Sequence, residues 1–123
     1  MSRSPARVHV RAERDAFVVV VSGDFDTDER DLLDAAWDEA DERALPTTAV
    51  ELSGVTFGDS SFLDALLRAR QRHRAARRRL VLIGPLHPRV LLLLTVTKVL
   101  EHFEVAESLT GGLEGGPHSG TGR

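Results

Sequence analysis

Apolar and polar positions along this chain change period several times, and each change marks a predicted element. Val8 and Val10 alternate with Arg7, His9 and Arg11, the period of a half-exposed strand, and Glu13-Arg14-Asp15 makes a turn after it. Phe17-Val18-Val19-Val20-Val21 is continuous and β-branched, as suits a strand covered on both faces, and Ser22-Gly23-Asp24 is predicted to end it in a loop. From residue 28 to 43 the spacing is helical: Leu32, Leu33, Ala36, Trp37, Ala40 and Ala44 form one apolar stripe, with acids and Arg43 outside it. Pro46 breaks the segment, and Ala49-Val50-Glu51-Leu52 reads as a short strand. A second helix is predicted from Ser60 to about residue 75, with Leu63, Leu66 and Leu67 inward. Leu80-Val81-Leu82-Ile83 is a further buried strand, closed by Gly84-Pro85. Pro88 suits the first turn of a helix that continues to about residue 95, and Phe103-Glu104-Val105 makes a last short strand.

A β-hairpin followed by alternating αβ units predicts an α/β fold: a mixed β-sheet with a parallel part, covered by helices. At 123 residues a single domain is expected. It spans residues 7–109, after a flexible N-terminus over residues 1–6. Residues 110–123 are rich in glycine, have almost nothing to bury and are expected to be disordered. No internal repeat is visible.

Composition narrows the function classes. Hydrophobic content of 41% with 28% charge is ordinary for a soluble globular protein, and the absence of cysteine removes disulfides and thiolate chemistry. The longest apolar run, residues 90–96, is too short to span a bilayer, and Met1-Ser2-Arg3-Ser4-Pro5 lacks the apolar core of a signal peptide. A cytoplasmic protein without a membrane role is expected. The net charge of −3 is unevenly placed: acids dominate residues 24–42, relieved only by Arg30, whereas residues 68–79 contain no acid. Separate acidic and basic surfaces favour a charged protein partner over a nucleic acid.

Candidate chemistry is sparse. His9, His73, His87, His102 and His118 are scattered, no pair has a metal-ligand spacing, and neither a metal nor a cofactor is expected. Ser60, Asp64 and His73 lack the Gly-x-Ser-x-Gly elbow of a hydrolase, and Gly54 and Gly58 lack the Gly-Lys-Ser/Thr ending of a phosphate-binding loop, so no enzyme is expected. Arg68, Arg70, Arg72, Arg74, Arg77, Arg78 and Arg79 form a basic run with no interleaved aromatic residue to stack bases. It reads as a solvated helix face or a partner-docking face. Asp24-Phe25-Asp26 follows a strand and a glycine, where Asp26 or Thr27 suits a helix N-cap, or where the acids face a basic partner. Asp59-Ser60-Ser61 opens the second helix. Unpaired backbone N–H groups and a partial positive charge gather there, so the segment is either an ordinary cap or a place where a phosphate is tolerated.

Residues 50–67 resemble the signature of STAS domains, specifically of bacterial anti-sigma factor antagonists. In that family a strand ending in Asp-Leu-Ser-Gly-Val-x-Phe leads to Asp-Ser-Ser/Thr-Gly-Leu and a helix. Here Glu51 stands for the first Asp, while Leu52-Ser53-Gly54-Val55, Phe57 and Asp59-Ser60-Ser61 match directly. Gly23-Asp24-Phe25-Asp26 is similar to the family's Gly-Glu-Leu-Asp, and residues 97–105 resemble its Thr-Gly-Leu-x-x-x-Phe-x-Val. Phe62 and Lys98 stand where the family has glycine.

The resemblance implies a STAS-like sheet and a binding switch rather than an enzyme. Family members bind an anti-sigma factor with a serine kinase fold and thereby release the sigma factor. The kinase phosphorylates the serine after the aspartate, here Ser60, and binding is lost until a phosphatase restores it. Asp24, Asp26, Asp59, Ser61 and Phe62 are then expected at the partner surface of a monomer or weak dimer. The alternative implied is a STAS scaffold subunit of a larger signalling or transport assembly that never turns over phosphate.

Overall fold

The structure, a computed structural model, describes residues 4–114. Strands β1 (Arg7–Glu13) and β2 (Ala16–Phe25) form an antiparallel hairpin. Strands β3 (Thr47–Gly58), β4 (Arg79–Ile83) and β5 (Glu104–Ala106) then add in parallel, giving one sheet in the order β1-β2-β3-β4-β5. The connections carry α1 (Arg30–Arg43), α2 (Ser60–Ala75) and α3 (Pro88–Val96), and α4 (Leu109–Glu114) follows β5. Single 3-10 turns precede α1 at Thr27–Glu29 and β5 at Leu100–His102. The mixed α/β sheet covered by helices is the architecture that the order of elements predicted.

Strand alternation assigns the two faces. Val50, Leu52 and Leu82 pack with Leu33 and Trp37 of α1, Leu66 of α2 and Val90 and Leu94 of α3 in the main core. Ala49, Val81 and Ile83 point the other way and meet Ala106 and Leu109. Three helices therefore cover one face, while α4 lies against the other. Among the described residues no helix is long and apolar enough to cross a membrane.

Several boundaries depart from the sequence expectation, each for a tertiary reason. Residues 22–24, expected as a loop, continue β2, because parallel pairing with β3 persists through two register shifts as far as Phe25 opposite Gly58. Strand β3 is correspondingly twelve residues long rather than four. Gly23 has φ +91°, and a Cβ there would lie 2.1 Å from the Pro5 carbonyl oxygen, so glycine lets the N-terminal segment pass directly over the strand. Of the N-terminus expected to be flexible, residues 4–6 are held, with Asp24 N–H donating to the Ser4 carbonyl at 3.0 Å, and residues 1–3 lie outside the described residues. Helix α1 starts at Arg30, two residues later than expected, and Ala44 closes it in the left-handed region at φ 51°. Leu32, placed in the apolar stripe, is 42% exposed, so the buried stripe is narrower. At the C-terminus, residues 110–114 are helical rather than disordered, and residues 115–123 of the expected tail lie outside the described residues.

The charge runs are also corrected. Helices α1 and α2 lie side by side, and charged residues of the first face opposite charges on the second and on the turn after it. Arg30 pairs with Asp64 at 2.7 Å, Arg68 with Asp34, Arg72 with Asp38 at 2.7 Å and Asp41 at 2.6 Å, and Arg78 with Asp41. Arg68, Arg72 and Arg78 of the basic run thus meet acids of α1 in an intramolecular ladder, which ties part of the two runs together. Arg79 pairs with Glu104, and Arg70 donates to the His102 carbonyl at 2.8 Å.

Candidate functional site

Strands β2 and β3 stop side by side, and each hands over to a helix at an aspartate. The Asp26 carboxylate accepts from the Asp28 N–H at 2.9 Å, while Glu29 Oε1 accepts from the Asp26 N–H at 3.0 Å, which makes a capping box. Asp59 Oδ1 accepts from the N–H groups of Ser61 at 2.9 Å and Phe62 at 3.3 Å, capping α2. These two helix starts are stitched together. Asp59 N–H donates to the Phe25 carbonyl at 3.3 Å, and the hydroxyls of Thr27 and Ser61 lie 2.9 Å apart. Both helices therefore present their positive ends at the C-terminal edge of parallel strands, the edge at which α/β folds bind ligands.

A constant offset relates the two helices. Thr27 meets Ser61, Arg30 meets Asp64, Asp34 meets Arg68 and Asp38 meets Arg72, each pair 34 positions apart.

Ser60 is the first residue of α2 and is exposed. Because Asp59 supplies the cap, the Ser60 hydroxyl has no part in holding the helix end. Ser61 is half-buried and engaged with Thr27. Asp24 accepts from the Thr56 hydroxyl and from the Ser4 N–H at 3.2 Å, so these two contacts direct its carboxylate to β3 and the N-terminal segment. Phe62 corrects the expectation of a partner-facing ring. It is 1% exposed, its ring centroid lies 6.0 Å from that of Phe25, and it fills space that a side chain at position 58 would occupy. A Cβ on Gly58 would stand 2.4 Å from Phe62 Cδ2, so the ring is admitted into the core by that glycine.

Sequence reasoning gave Thr27 only a capping role and missed the groove beside the site. Phe57, Leu92 and Val96 are 42%, 62% and 64% exposed, and with Gly58, Leu93 and Arg89 they line an apolar groove. The sequence signal was Phe57 itself, an apolar residue beyond the strand predicted over residues 49–52. The nucleophile-acid-base combination is excluded by geometry. His73 stands thirteen residues beyond Ser60 on the same helix, about 20 Å along its axis at 1.5 Å per residue. It is 1% exposed, with Nδ1 2.7 Å from the Ala69 carbonyl and Nε2 2.7 Å from the Thr48 hydroxyl. A carbonyl only accepts, so Nδ1 carries the proton and Nε2 accepts from Thr48. Burial pushes the His73 pKa below its ordinary value, and the nearby Arg78 and Arg72 charges act in the same direction, against opposing contributions from Ala69 and Asp41.

The family model described as Mlab, STAS domain matches residues 8–106. This chain belongs to the STAS domain family. Solved structures of similar fold include an anti-sigma factor antagonist from Mycobacterium paratuberculosis, 22% identical over 89% of this chain and 92% of that one, with a TM-score of 0.75. RsbS from Moorella thermoacetica, carrying a serine-to-glutamate substitution, is 20% identical over 88% and 92% of the two chains, with a TM-score of 0.75. The phosphorylated form of SpoIIAA, a Bacillus cell fate determinant, is 15% identical over 88% and 97%, with a TM-score of 0.67. At these identities the likeness is one of fold. No curated protein matches the chain.

Proposed function

We propose that this STAS protein is an anti-sigma factor antagonist. It binds an anti-sigma factor of serine kinase fold in the cytoplasm, releases the sigma factor, and is switched off when Ser60 is phosphorylated and on again by a phosphatase. The protein itself catalyses nothing. The observation that carries the reading is the division of labour at the start of α2: Asp59 caps the helix, and Ser60 stands exposed with its hydroxyl uninvolved in the cap. The chemistry then follows. A phosphoserine carries about −1.5 to −2 charges at neutral pH, and a helix N-terminus tolerates an anion, so the fold survives while the surface changes. A kinase site that has just accommodated nucleotide phosphates repels that added charge, and every 1.4 kcal/mol of repulsion weakens binding about tenfold. The likeness in fold to anti-sigma factor antagonists, and to SpoIIAA in a phosphorylated form, supports the reading.

The test is a paired pull-down from the source cell with Ser60→Ala and Ser60→Asp as baits, alongside phosphorylation by the recovered kinase and ATP. The antagonist reading expects a kinase-fold protein held by the first bait and lost by the second, with no phosphate on Ser60→Ala. Phosphorylation of Ser60→Ala to the wild-type level would move the site elsewhere. The groove of Phe57, Leu92 and Val96 favours a second reading, a scaffold subunit whose permanent contact buries it. Equal recovery of one large complex by both baits would establish that reading instead.

A further inference from the structure

We propose that Arg30 is the counter-charge for a phosphoserine at position 60. The inference rests on the reading of Ser60 as phosphoacceptor and concerns what the fold does with the phosphate once attached. Ser60 and Asp64 are one turn apart on α2, which puts their side chains on one face with Cβ atoms about 5–6 Å apart. The Arg30 guanidinium already reaches that face, with Nη2 2.7 Å from Asp64 Oδ2. Its side chain is 37% exposed, so it can turn without unpacking the core. Its planar fork matches a phosphate, and a dianion attracts it more strongly than a carboxylate does.

The surrounding charges make the exchange inexpensive and the alternative costly. When Arg30 turns, Asp64 keeps Arg68, whose Nε lies 3.9 Å from the same Oδ2, and Asp34 keeps Arg68 as well. Without Arg30 the phosphate would sit between Asp59 beside it and Asp64 one turn away, and like charges four residues apart destabilise a helix.

The test installs phosphoserine at position 60 during translation, so no kinase is needed, and follows its second ionisation by phosphorus NMR. The wild-type value is expected below the ordinary value of about 6, and Arg30→Gln is expected to raise it by about half a unit. Arg30→Lys should fall between them. Arg11→Gln, which removes a guanidinium paired with Glu13 on β1, should change nothing. Phosphorylation should also lower the melting temperature more in Arg30→Gln than in wild type. Coincident titrations of wild type and Arg30→Gln would overturn the proposal. A protein that no kinase accepts would still show the shift, and a genuine kinase substrate without the shift would keep its switch and lose only the role of Arg30.

Discussion

Along the shaft of the α1–α2 pair, Asp34, Asp38 and Asp41 face Arg68, Arg72 and Arg78, whereas the tip gathers Asp26, Asp59 and the hydroxyls of Thr27, Ser60 and Ser61. Both regions are built on the same parallel helices with the same offset of 34 residues. They handle polarity differently. In the shaft, long side chains cancel one another within the protein. At the tip, short carboxylates are used on backbone N–H groups, and one hydroxyl is left outward. Part of each long charge run is thus spent on a helix–helix contact, while the exposed hydroxyl of Ser60 lies in a three-residue motif with no conspicuous net charge.

The largest loss of stability is expected under the shaft. Trp37 is fully buried and its indole N–H donates to the Ala65 carbonyl at 3.0 Å, tying α1 to α2. Trp37→Ala should cost about 3–5 kcal/mol, read as a large fall in the urea midpoint, with Trp37→Phe less damaging. A small effect would mean that the helix pair is held mainly by its charge ladder.

At the tip, Asp59→Ala leaves two N–H groups at the start of α2 without their cap. It should cost about 0.5–2 kcal/mol in thermal unfolding, and Asp59→Asn should recover most of that loss. Ser60→Ala should leave stability nearly unchanged, because the cap does not use Ser60. A larger loss from Ser60→Ala than from Asp59→Ala would reverse the assignment of roles.

The pH dependence tests the far end of the shaft, where His73 is buried. Its folded pKa is depressed below the ordinary 6.5, so the unfolded chain binds the proton more readily. The His73 contribution is therefore fully present above about pH 6.5 and is lost as pH falls through the folded pKa. Urea midpoints measured from pH 7.5 downward should show this loss, and His73→Gln should flatten that part of the profile. An unchanged profile would show that the imidazole is solvated.

The smallest effect is expected in the ladder itself. Arg72→Gln should cost less than about 1 kcal/mol and lose part of that cost at high salt, as exposed pairs do. A double-mutant cycle with Asp38→Asn at low and high salt measures it. If Arg72→Gln weakened partner recovery more than Ser60→Asp, the shaft and not the tip would be the binding surface.

Much of this was readable from residue order. Alternation located β1, continuous apolar runs the core of β2 and β4, helical spacing α2, and Pro88 the start of α3, while Asp59-Ser60-Ser61 marked the start of α2 to the residue. Strand ends were misjudged because residues 22–24 and 53–58 look like loops locally, and only pairing between β2 and β3 makes them strands. Residue order left Phe62 either packed inward or at the partner surface, because nothing local reveals that Gly58 vacates its space. The ladder escaped notice because its partners are 34 positions apart, a spacing set by helix packing and by no local period.

The sequence by itself determined the α/β class, the family signature and the candidate hydroxyl, since these depend on periodicity, capping chemistry and a contiguous motif. Only the tertiary structure decided that Arg68, Arg72 and Arg78 meet the aspartates of α1, that Phe62 is core, and that Arg30 reaches Asp64 one turn from Ser60. Those outcomes depend on which surfaces meet once two parallel strands set their helices side by side, and residue order alone does not encode that contact locally.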